Sequence, residues 1–347
     1  MYSFLHAVDE ARRRQGLVLE RLGYGPVTTP SRTVRTSSIA DLLAYQDPRA
    51  DRPAALLVPA PIKAHYVWDL DPAVSAVRRL LEAGLQVYLI RWQRPPARRG
   101  LGLAVYGDAA IADCLQAVCA ETAQQRVILA GHSLGGTLAA IFASLHPERV
   151  LALLELEGPI EFGEGMIEAL VAAVPKASIA GMESNASVPG TFLDVASVQA
   201  DPIAFEVEPW FDLLASSGDP GRRRLHLQVR RWTLDEMPMA AALMDEVANR
   251  LYRDNQFAAC RLDLGGRLAA PGAITAPVLG VLDPHSRIVP PSSVEAYRRR
   301  TASKNVQILA YTGDSGVVMQ HVGVLVGRNA HRALWPQIAA WVQSVTH

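Results

Sequence analysis

The stretch that decides the fold is Arg126-Val-Ile-Leu-Ala-Gly-His-Ser-Leu-Gly-Gly-Thr-Leu-Ala-Ala-Ile-Phe-Ala-Ser-Leu145. Its beginning is a short aliphatic run typical of a buried strand, and its end is an alanine-rich run typical of a helix. Between them, residues 131–135 have the pattern G-x-S-x-G. The glycines let strand and helix approach closely and leave the Ser133 hydroxyl exposed on a strained turn. The stretch therefore predicts a strand–turn–helix unit with Ser133 as a nucleophile.

Outside this unit the chain alternates short apolar runs with helical stretches, which is typical of a mostly parallel central sheet flanked by helices. The alternation stops within residues 160–272, where helical patterns, prolines and aromatic residues predominate. We predict strands over 56–58, 86–90, 126–130, 150–156, 278–282 and 306–310, and helices over 73–83, 107–122 and 137–145. We divide the chain into an N-terminal helical extension (1–45) whose amphipathic helix covers the core, an α/β core (46–159 and 273–347) and an inserted, mainly helical cap (160–272).

The composition excludes several classes of protein. Lys plus Arg and Asp plus Glu both number 34, which argues against the basic surface that binds nucleic acid. No apolar run is long enough to cross a bilayer, and Asp9 and Glu10 interrupt the region where a signal peptide has its apolar segment. The three cysteines have no metal-site spacing. We expect a cytoplasmic protein with no nucleic-acid partner, no stable membrane insertion, no metal and no cofactor.

Ser133 requires a general base, because a serine hydroxyl is a weak nucleophile on its own. The elbow and the alternation indicate the α/β-hydrolase fold, in which serine, acid and histidine follow one another along the chain. His321 fits the histidine position because it follows the last predicted strand and a glycine-containing loop. His132, beside the nucleophile, is expected to pack away from the hydroxyl. We therefore predict that Ser133 and His321 are catalytic.

The acid of the predicted triad has two candidates. Residues 277–291 resemble a common strand-then-acid segment, but Ser286 stands where that segment usually carries Asp, and Asp283 lies three residues earlier. Glu157 ends the strand after the elbow and would also lie at the carboxyl edge of the sheet, where such sites assemble. We predict Asp283, which preserves the usual chain order. The alternatives are Glu157 and a Ser–His dyad that works without an acid.

Two further sets of residues are expected around Ser133. The oxyanion needs backbone N–H donors, which we assign to Leu134 and to Ala60 or Ile62, since the neighbouring prolines cannot donate. Pockets for acyl groups are mostly apolar, so apolar residues of the cap are expected to line the substrate site. The residues that we predict for this pocket are Phe162, Met166 and Trp210.

Several further motifs resemble one known family. They are Leu57-Val-Pro-Ala-Pro-Ile-Lys63, Val87-Tyr-Leu-Ile-Arg-Trp92, Val188-Pro-Gly-Thr-Phe192, Arg231-Trp232, Ile288-Val-Pro-Pro291 and His321-Val-Gly323. Over nearly the whole chain they are similar to motifs of the polyhydroxyalkanoate synthase family of the α/β-hydrolase superfamily, in its shorter form. The resemblance implies affinity for 3-hydroxyacyl-like or other aliphatic acyl groups.

Three departures from that family change the expected reaction. Ser133 stands in place of the family's catalytic Cys, Ser286 in place of its acid, and Arg91 where it usually has Asp before a tryptophan. A serine oxyester is less reactive toward a hydroxyl than a thioester, and water resolves it more naturally. We therefore predict a serine hydrolase that cleaves an ester or thioester of a hydrophobic acyl group through an acyl-enzyme on Ser133.

Two alternatives stay open at this point. One is an acyltransferase related to polyhydroxyalkanoate synthases, and the other is a non-catalytic, synthase-like partner subunit. In the catalytic readings the expected partner is a small-molecule or polyester acyl substrate. The sequence does not set the oligomeric state, and a homo-oligomer is compatible with it.

Overall fold

The centre of the molecule is one large sheet. A computed structural model describes residues 2–163, 165–176 and 187–346. The strands of the sheet are β1 Arg32–Thr36, β2 Ala40–Ala44, β3 Ala54–Val58, β4 Gln86–Trp92, β5 Val127–His132, β6 Val150–Leu156, β7 Val278–Leu282 and β8 Val306–Ala310. They lie in the order β1-β2-β4-β3-β5-β6-β7-β8. β2 pairs antiparallel with β1 and with β4, and all other neighbours are parallel.

All six predicted strands are present, as β3 to β8, and the predicted α/β-hydrolase fold class is confirmed. The helical description of residues 1–45 is wrong for its last part, because β1 and β2 belong to the sheet. β2 is buried along its whole length between β1 and β4, whereas the edge strand β1 is largely exposed. Both strands are short and carry polar residues, so neither has the aliphatic run that marked the parallel strands.

Helices cover both faces of the sheet. Alternate residues of β3 enter different cores: Leu56 and Val58 face one, and Ala55 and Leu57 face the other. The α-helices of the described residues are α1 Tyr2–Leu19, α2 Ala76–Glu82, α3 Ala110–Thr122, α4 Leu134–Leu145, α5 Met166–Ala173, α6 Gly190–Ala200, α7 Glu208–Ser216, α8 Pro220–Thr233, α9 Ala241–Glu246, α10 Pro291–Arg300, α11 Gln320–Val326 and α12 Trp335–Thr346. None of these helices is both long and apolar enough to cross a membrane.

The insertion between β6 and β7 is mainly helical, as the sequence predicted. Helices α5 to α9 all lie in this segment, which we call the cap. Within the cap, two short strands, Ser187–Val188 and Met239–Ala240, pair with each other in antiparallel orientation. Residues 164 and 177–186 of the predicted cap lie outside the described residues.

Helix α1 packs on the cap helices α6 and α8. The Asp9 carboxylate accepts hydrogen bonds from the backbone N–H groups of Gly190 (3.1 Å) and Thr191 (2.7 Å) in the first turn of α6. These N–H groups have no partner within their own helix, so a carboxylate is well placed there. The expectation that the N-terminal helix covers the sheet core is therefore wrong: its fixed polar contacts are with the cap.

Candidate active site

Ser133 lies on a sharp turn between the end of β5 and the start of α4. Its backbone has φ 55° and ψ −131°, a conformation that residues other than glycine rarely adopt. Neighbouring glycines make the turn sterically feasible. A Cβ on Gly131 would overlap the backbone of Gly136, and a Cβ on Gly135 would overlap the loop after β3. The G-H-S-L-G sequence thus produces locally the strained turn that carries the predicted nucleophile.

His321 is the second residue of α11, and only 11% of its side chain is exposed. Its Nδ1 lies 2.9 Å from Oε2 of Glu157, the residue that follows β6. An ionised carboxylate can only accept, so in this pairing Nδ1 donates and Nε2 is left to accept a proton. Glu157 is fully buried and has a left-handed backbone with φ 48°. A histidine oriented in this way by a buried carboxylate can serve as a general base.

Glu157, and not the predicted Asp283, is the carboxylate hydrogen-bonded to His321. Within the described residues Asp283 makes no hydrogen bond to the imidazole. Its Oδ1 instead accepts the backbone N–H of His285 at 2.8 Å and so caps the turn that follows β7. Ser286, at the position where an acid was expected, donates to Glu157 Oε2 across 3.4 Å. The pairing predicted for Asp283 is thus corrected: its carboxylate is held by its own turn, and its negative charge still acts on the pair.

The charges of this pair are set by burial. Burial raises the pKa of Glu157 well above its usual value, and the nearby charge of Asp283 raises it further. Burial also lowers the pKa of His321 to about 4, against the opposing effect of Asp283. The hydrogen bond from Ser286 opposes the effect of burial on the pKa of Glu157 and favours its ionised form. The imidazole is neutral at neutral pH, which is the form that can accept a proton.

His132 supports the backbone of the predicted base. Its Nε2 lies 2.8 Å from the backbone oxygen of His321, and the two rings are 4.7 Å apart between centroids. A carbonyl oxygen only accepts, so Nε2 of His132 must donate. Burial lowers the pKa of His132 to about 3, with a further lowering by His321. His132 therefore fixes the backbone of His321 by a hydrogen bond, and it also lines the cavity that Ser133 faces.

Ser133 and His321 face the same large cavity, whose volume is about 830 Å³. Leu134, Ala60 and Ile62, the residues predicted to supply oxyanion donors, also line it. A Cβ on Gly135 would lie 2.9 Å from the Ala60 nitrogen, so the loop after β3 comes close to the start of α4. In the described part of the chain no hydrogen bond joins Ser133 Oγ to His321. Such contacts are often long before substrate binds.

The three residues predicted for the substrate pocket do not line this cavity. Phe162 is buried in the core against Tyr252, with 4.8 Å between ring centroids, and it is Tyr252 that reaches the cavity. Met166 and Trp210 lie on outward faces of α5 and α7 and are 41% and 68% exposed. These residues were predicted from their size and apolar character, and the sequence alone did not show which face of each helix points inward.

The apolar wall comes from other faces of the same helices. Ile167, Leu170, Val171 and Val174 line the cavity from α5 and the residue after it, and Phe192, Leu193, Ala196 and Ser197 line it from α6. The first set follows the spacing i, i+3, i+4, i+7 of one helix face. That spacing is visible in the sequence and is the signal that could have identified this wall.

A buried ionic cluster holds the loop after β3 against the cap. Lys63 Nζ lies 2.9 Å from Glu236 Oε2 and 2.9 Å from the Thr233 backbone oxygen. Arg12 of α1 binds the other oxygen of Glu236 at 2.8 Å and also contacts Asp194. The Glu236 side chain is fully buried, so these cations compensate its charge. Arg12, Asp194 and Glu236 could not be grouped from the sequence, because they become neighbours only in the folded chain.

A second, smaller cavity of about 420 Å³ also reaches His321. Its lining is more polar than that of the first cavity and includes Glu208, Asp283, Ser286 and Arg287. His321 therefore lines both a mainly apolar cavity that contains Ser133 and a smaller, more polar cavity that does not.

Comparison with known proteins agrees with this fold and with the motifs. The sequence profile of the alpha/beta hydrolase fold matches residues 92–172, which include the elbow. The poly(3-hydroxyalkanoate) polymerase subunit PhaC of Haloarcula marismortui is 25% identical over 325 residues, 90% of this chain and 67% of that protein. The subunit of the same name from Allochromatium vinosum is 26% identical over 298 residues, 85% of this chain and 82% of that protein.

Among solved structures, a hydrolase from Pseudomonas aeruginosa superposes with a TM-score of 0.53, covering 90% of this chain and 98% of that one at 16% identity. At this identity the likeness concerns the fold alone. The polymerase subunits, in contrast, are similar in sequence along most of this chain, which confirms the resemblance found in the motifs. The chain therefore has the α/β-hydrolase fold and is similar in sequence, along most of its length, to poly(3-hydroxyalkanoate) polymerase subunits.

Proposed function

We propose that this protein is a serine hydrolase that cleaves an ester or thioester of a hydrophobic acyl group through an acyl-enzyme on Ser133. The observation that carries the proposal is that Ser133, on its elbow, and His321, hydrogen-bonded to Glu157, face one mainly apolar cavity. The hydrolase fold and the polymerase relatives support acyl-transfer chemistry in general. The serine in place of the family's cysteine favours hydrolysis.

In the first half-reaction the Ser133 Oγ attacks the acyl carbonyl while His321 Nε2 takes its proton. Glu157 stabilises the imidazolium through the Nδ1 hydrogen bond. The oxyanion accepts hydrogen bonds from the Leu134 N–H and from the N–H of Ala60 or Ile62. His321 then returns the proton to the leaving alcohol or thiol as the C–O or C–S bond breaks, and an acyl ester on Ser133 remains.

In the second half-reaction water attacks the acyl-enzyme and His321 again serves as the base. The Ser133 ester bond breaks, its oxygen regains the proton from His321, and a carboxylic acid leaves. The smaller cavity, which is also lined by His321 and has a more polar lining, supports this step as a space for water beside the imidazole. Acyl groups of the aliphatic or 3-hydroxyacyl-like class suit the apolar lining of the large cavity.

A second candidate is an acyltransferase, favoured by the names of the relatives, which are polymerase subunits. In that reaction an alcohol would take the place of water in the second half-reaction. The two functions differ only in the acceptor. Product analysis with an aliphatic ester or acyl thioester, with and without added alcohol, distinguishes them: free acid that is insensitive to the alcohol supports hydrolysis, and a new ester supports transfer.

A panel of esters and acyl thioesters of graded chain length tests the proposal directly. We expect turnover, with a preference for acyl chains longer than acetyl, and labelling of the Ser133 peptide by an alkyl phosphonate. Absence of both turnover and labelling would overturn the proposal and favour a non-catalytic partner subunit.

A further inference from the structure

A buried carboxylate outside the catalytic residues joins the cap to the loop that precedes His321. Asp212 lies on α7, and its Oδ1 accepts the backbone N–H of Gly316 at 2.6 Å. Its Oδ2 accepts the backbone N–H of Val318 at 2.9 Å and faces His226 Nδ1 of α8 at 2.6 Å. The Asp212 and His226 side chains are only 7% and 5% exposed. All three donors therefore converge on one carboxylate that the proposed mechanism does not use.

The loop segment held in this way is conformationally unfavourable. Val318 has φ 64°, in the left-handed region where β-branched residues are genuine outliers. Gly316 has φ 87°, and a Cβ there would lie 2.7 Å from the Arg222 backbone oxygen of α8. Such conformations persist only where surrounding contacts hold them. Here the contacts come from two cap helices, and the held residue Val318 lies three positions before His321.

A second carboxylate, that of Asp314, fixes the same loop near its middle. Asp314 Oδ2 accepts the backbone N–H groups of Asn329 at 2.7 Å and of Ala330 at 3.1 Å, both beyond α11. Loss of the Asp212 contacts would therefore leave the loop anchored near its middle and release mainly residues 316–318. The expected result is a displaced His321 in a folded protein.

Burial opposes ionisation of Asp212, but the hydrogen bonds from His226, Val318 and Gly316 outweigh it and lower the pKa of this carboxyl. Asp212 is thus a carboxylate, which can accept all three donors at once. An asparagine offers only one accepting oxygen and would place an NH₂ group against an N–H donor.

We propose that Asp212, supported by His226, is a positioning residue through which the cap holds His321 in its catalytic location. This inference rests on the proposed function of Ser133 and His321. Asp212 does not contact the reacting atoms. It acts through the backbone of residues 316–318.

The test is Asp212→Asn, assayed on the best ester, with the concentration of competent sites counted by phosphonate labelling of Ser133. We expect kcat to fall about tenfold to a hundredfold with little change in KM, since a displacement near 1 Å can cost about a hundredfold. Phosphonate labelling should slow in parallel. The matched control is Asp219→Asn, which removes the charge of the exposed N-cap residue of α8 (Asp219 Oδ1 to Gly221 N, 2.8 Å) while keeping an accepting oxygen, and it should leave kcat unchanged.

The distinguishing readout is rescue. Glycine adopts the left-handed conformation without strain, so in a Val318→Gly background the loop needs Asp212 less. We expect the fold-loss caused by Asp212→Asn to be several times smaller there than in the Val318 background, as a double-mutant cycle. Should Asp212→Asn fail to accumulate, His226→Leu, which leaves both loop hydrogen bonds in place, should lower kcat in the same way by a smaller factor.

Wild-type kcat per labelled site in Asp212→Asn, or an equal loss in both backgrounds, would overturn the inference. In either case Ser133→Ala would still be inactive if the proposed function is correct. An active Ser133→Ala would instead refute the proposed function, so the two failures are distinguishable.

Discussion

Ser133 and His321 face the same cavity, but the chain builds their surroundings in different ways. The conformation of Ser133 is determined by a continuous stretch from β5 to α4, with glycines at the close contacts. The surroundings of His321 come from separate parts of the chain: Glu157 after β6, Asp212 in the cap, and the turn at 283–286. The surroundings of the proposed nucleophile are therefore set locally along the chain, and those of the proposed base are set by tertiary contacts.

This difference explains which substitutions should affect each half of the site. Changes to the elbow act through one residue and its adjacent backbone. Changes around His321 can act from distant elements, because its position and charge depend on partners that share no sequence neighbourhood with it. The predictions that follow separate these two kinds of effect.

The largest effect on turnover is expected from a change to Ser133. Ser133→Ala removes Oγ and little volume, so turnover should fall by about 10⁴-fold or more while the melting temperature stays unchanged. Phosphonate labelling, followed by mass spectrometry of the peptide that contains residue 133, should disappear. Near-normal activity in this variant would mean that the nucleophile lies elsewhere.

The next effect separates the two carboxylates near His321. Glu157→Gln removes the charge that orients and stabilises the imidazole, and kcat should fall by about 10³-fold to 10⁴-fold. Asp283→Asn is the matched control, because Asp283 caps its own turn without bonding the ring, and its loss should stay below about tenfold. A severe loss in Asp283→Asn with a mild one in Glu157→Gln would return the acid role to the residue first predicted from sequence.

The features that could be predicted from the sequence are those determined by residues adjacent along the chain. The parallel strands and the elbow follow from hydrophobic runs and glycines. His321 was chosen from the order of the motif residues, and its role as the base stays a prediction. The carboxylate that bonds His321 was predicted wrongly. Asp283 and Glu157 both follow parallel strands that end at the same edge of the sheet, so the sequence could not distinguish them. Only the folded chain shows that the Asp283 side chain turns back to the His285 N–H.

The residues that line the pocket were predicted wrongly for a related reason. Met166 and Ile167 are adjacent and similar in hydrophobicity, yet only Ile167 lines the cavity, whereas Met166 is 41% exposed. Which face of a cap helix points inward depends on how the whole cap sits on the core, and the size of a side chain does not reveal it. The edge strands β1 and β2 were missed because they lack an aliphatic run.

This adjacent pair gives the third prediction. Ile167→Phe should narrow the cavity and lower kcat/KM for long acyl esters by about tenfold, with acetyl esters little affected, since differences of one or two methylenes change discrimination on this scale. Met166→Phe adds similar bulk one position away on the exposed face and should leave the acyl-length profile unchanged. Equal effects of the two substitutions would place the acyl site elsewhere.

The smallest effect is a shift in the pH profile. The acidic limb of kcat/KM reports protonation of the essential groups of the free enzyme, here His321 and Glu157. Because the two groups interact, the apparent pKa of this limb describes the pair as a whole. The negative charge of Asp283 raises the pKa of Glu157 and opposes the burial that lowers the pKa of His321, so it favours the protonated form of both.

Asp283→Asn removes that charge. Both protonations then become less favourable, the reactive form with a neutral imidazole and an ionised carboxylate persists to lower pH, and the acidic limb should move toward lower pH. The measurement is kcat/KM against pH for wild type and Asp283→Asn on the same ester. Met166→Phe, which neither adds nor removes a charge, serves as the control for an unshifted limb. Because the expected sign comes from charge alone, a limb that moves toward higher pH would contradict the inference that the charge of Asp283 favours protonation of the His321–Glu157 pair in the free enzyme.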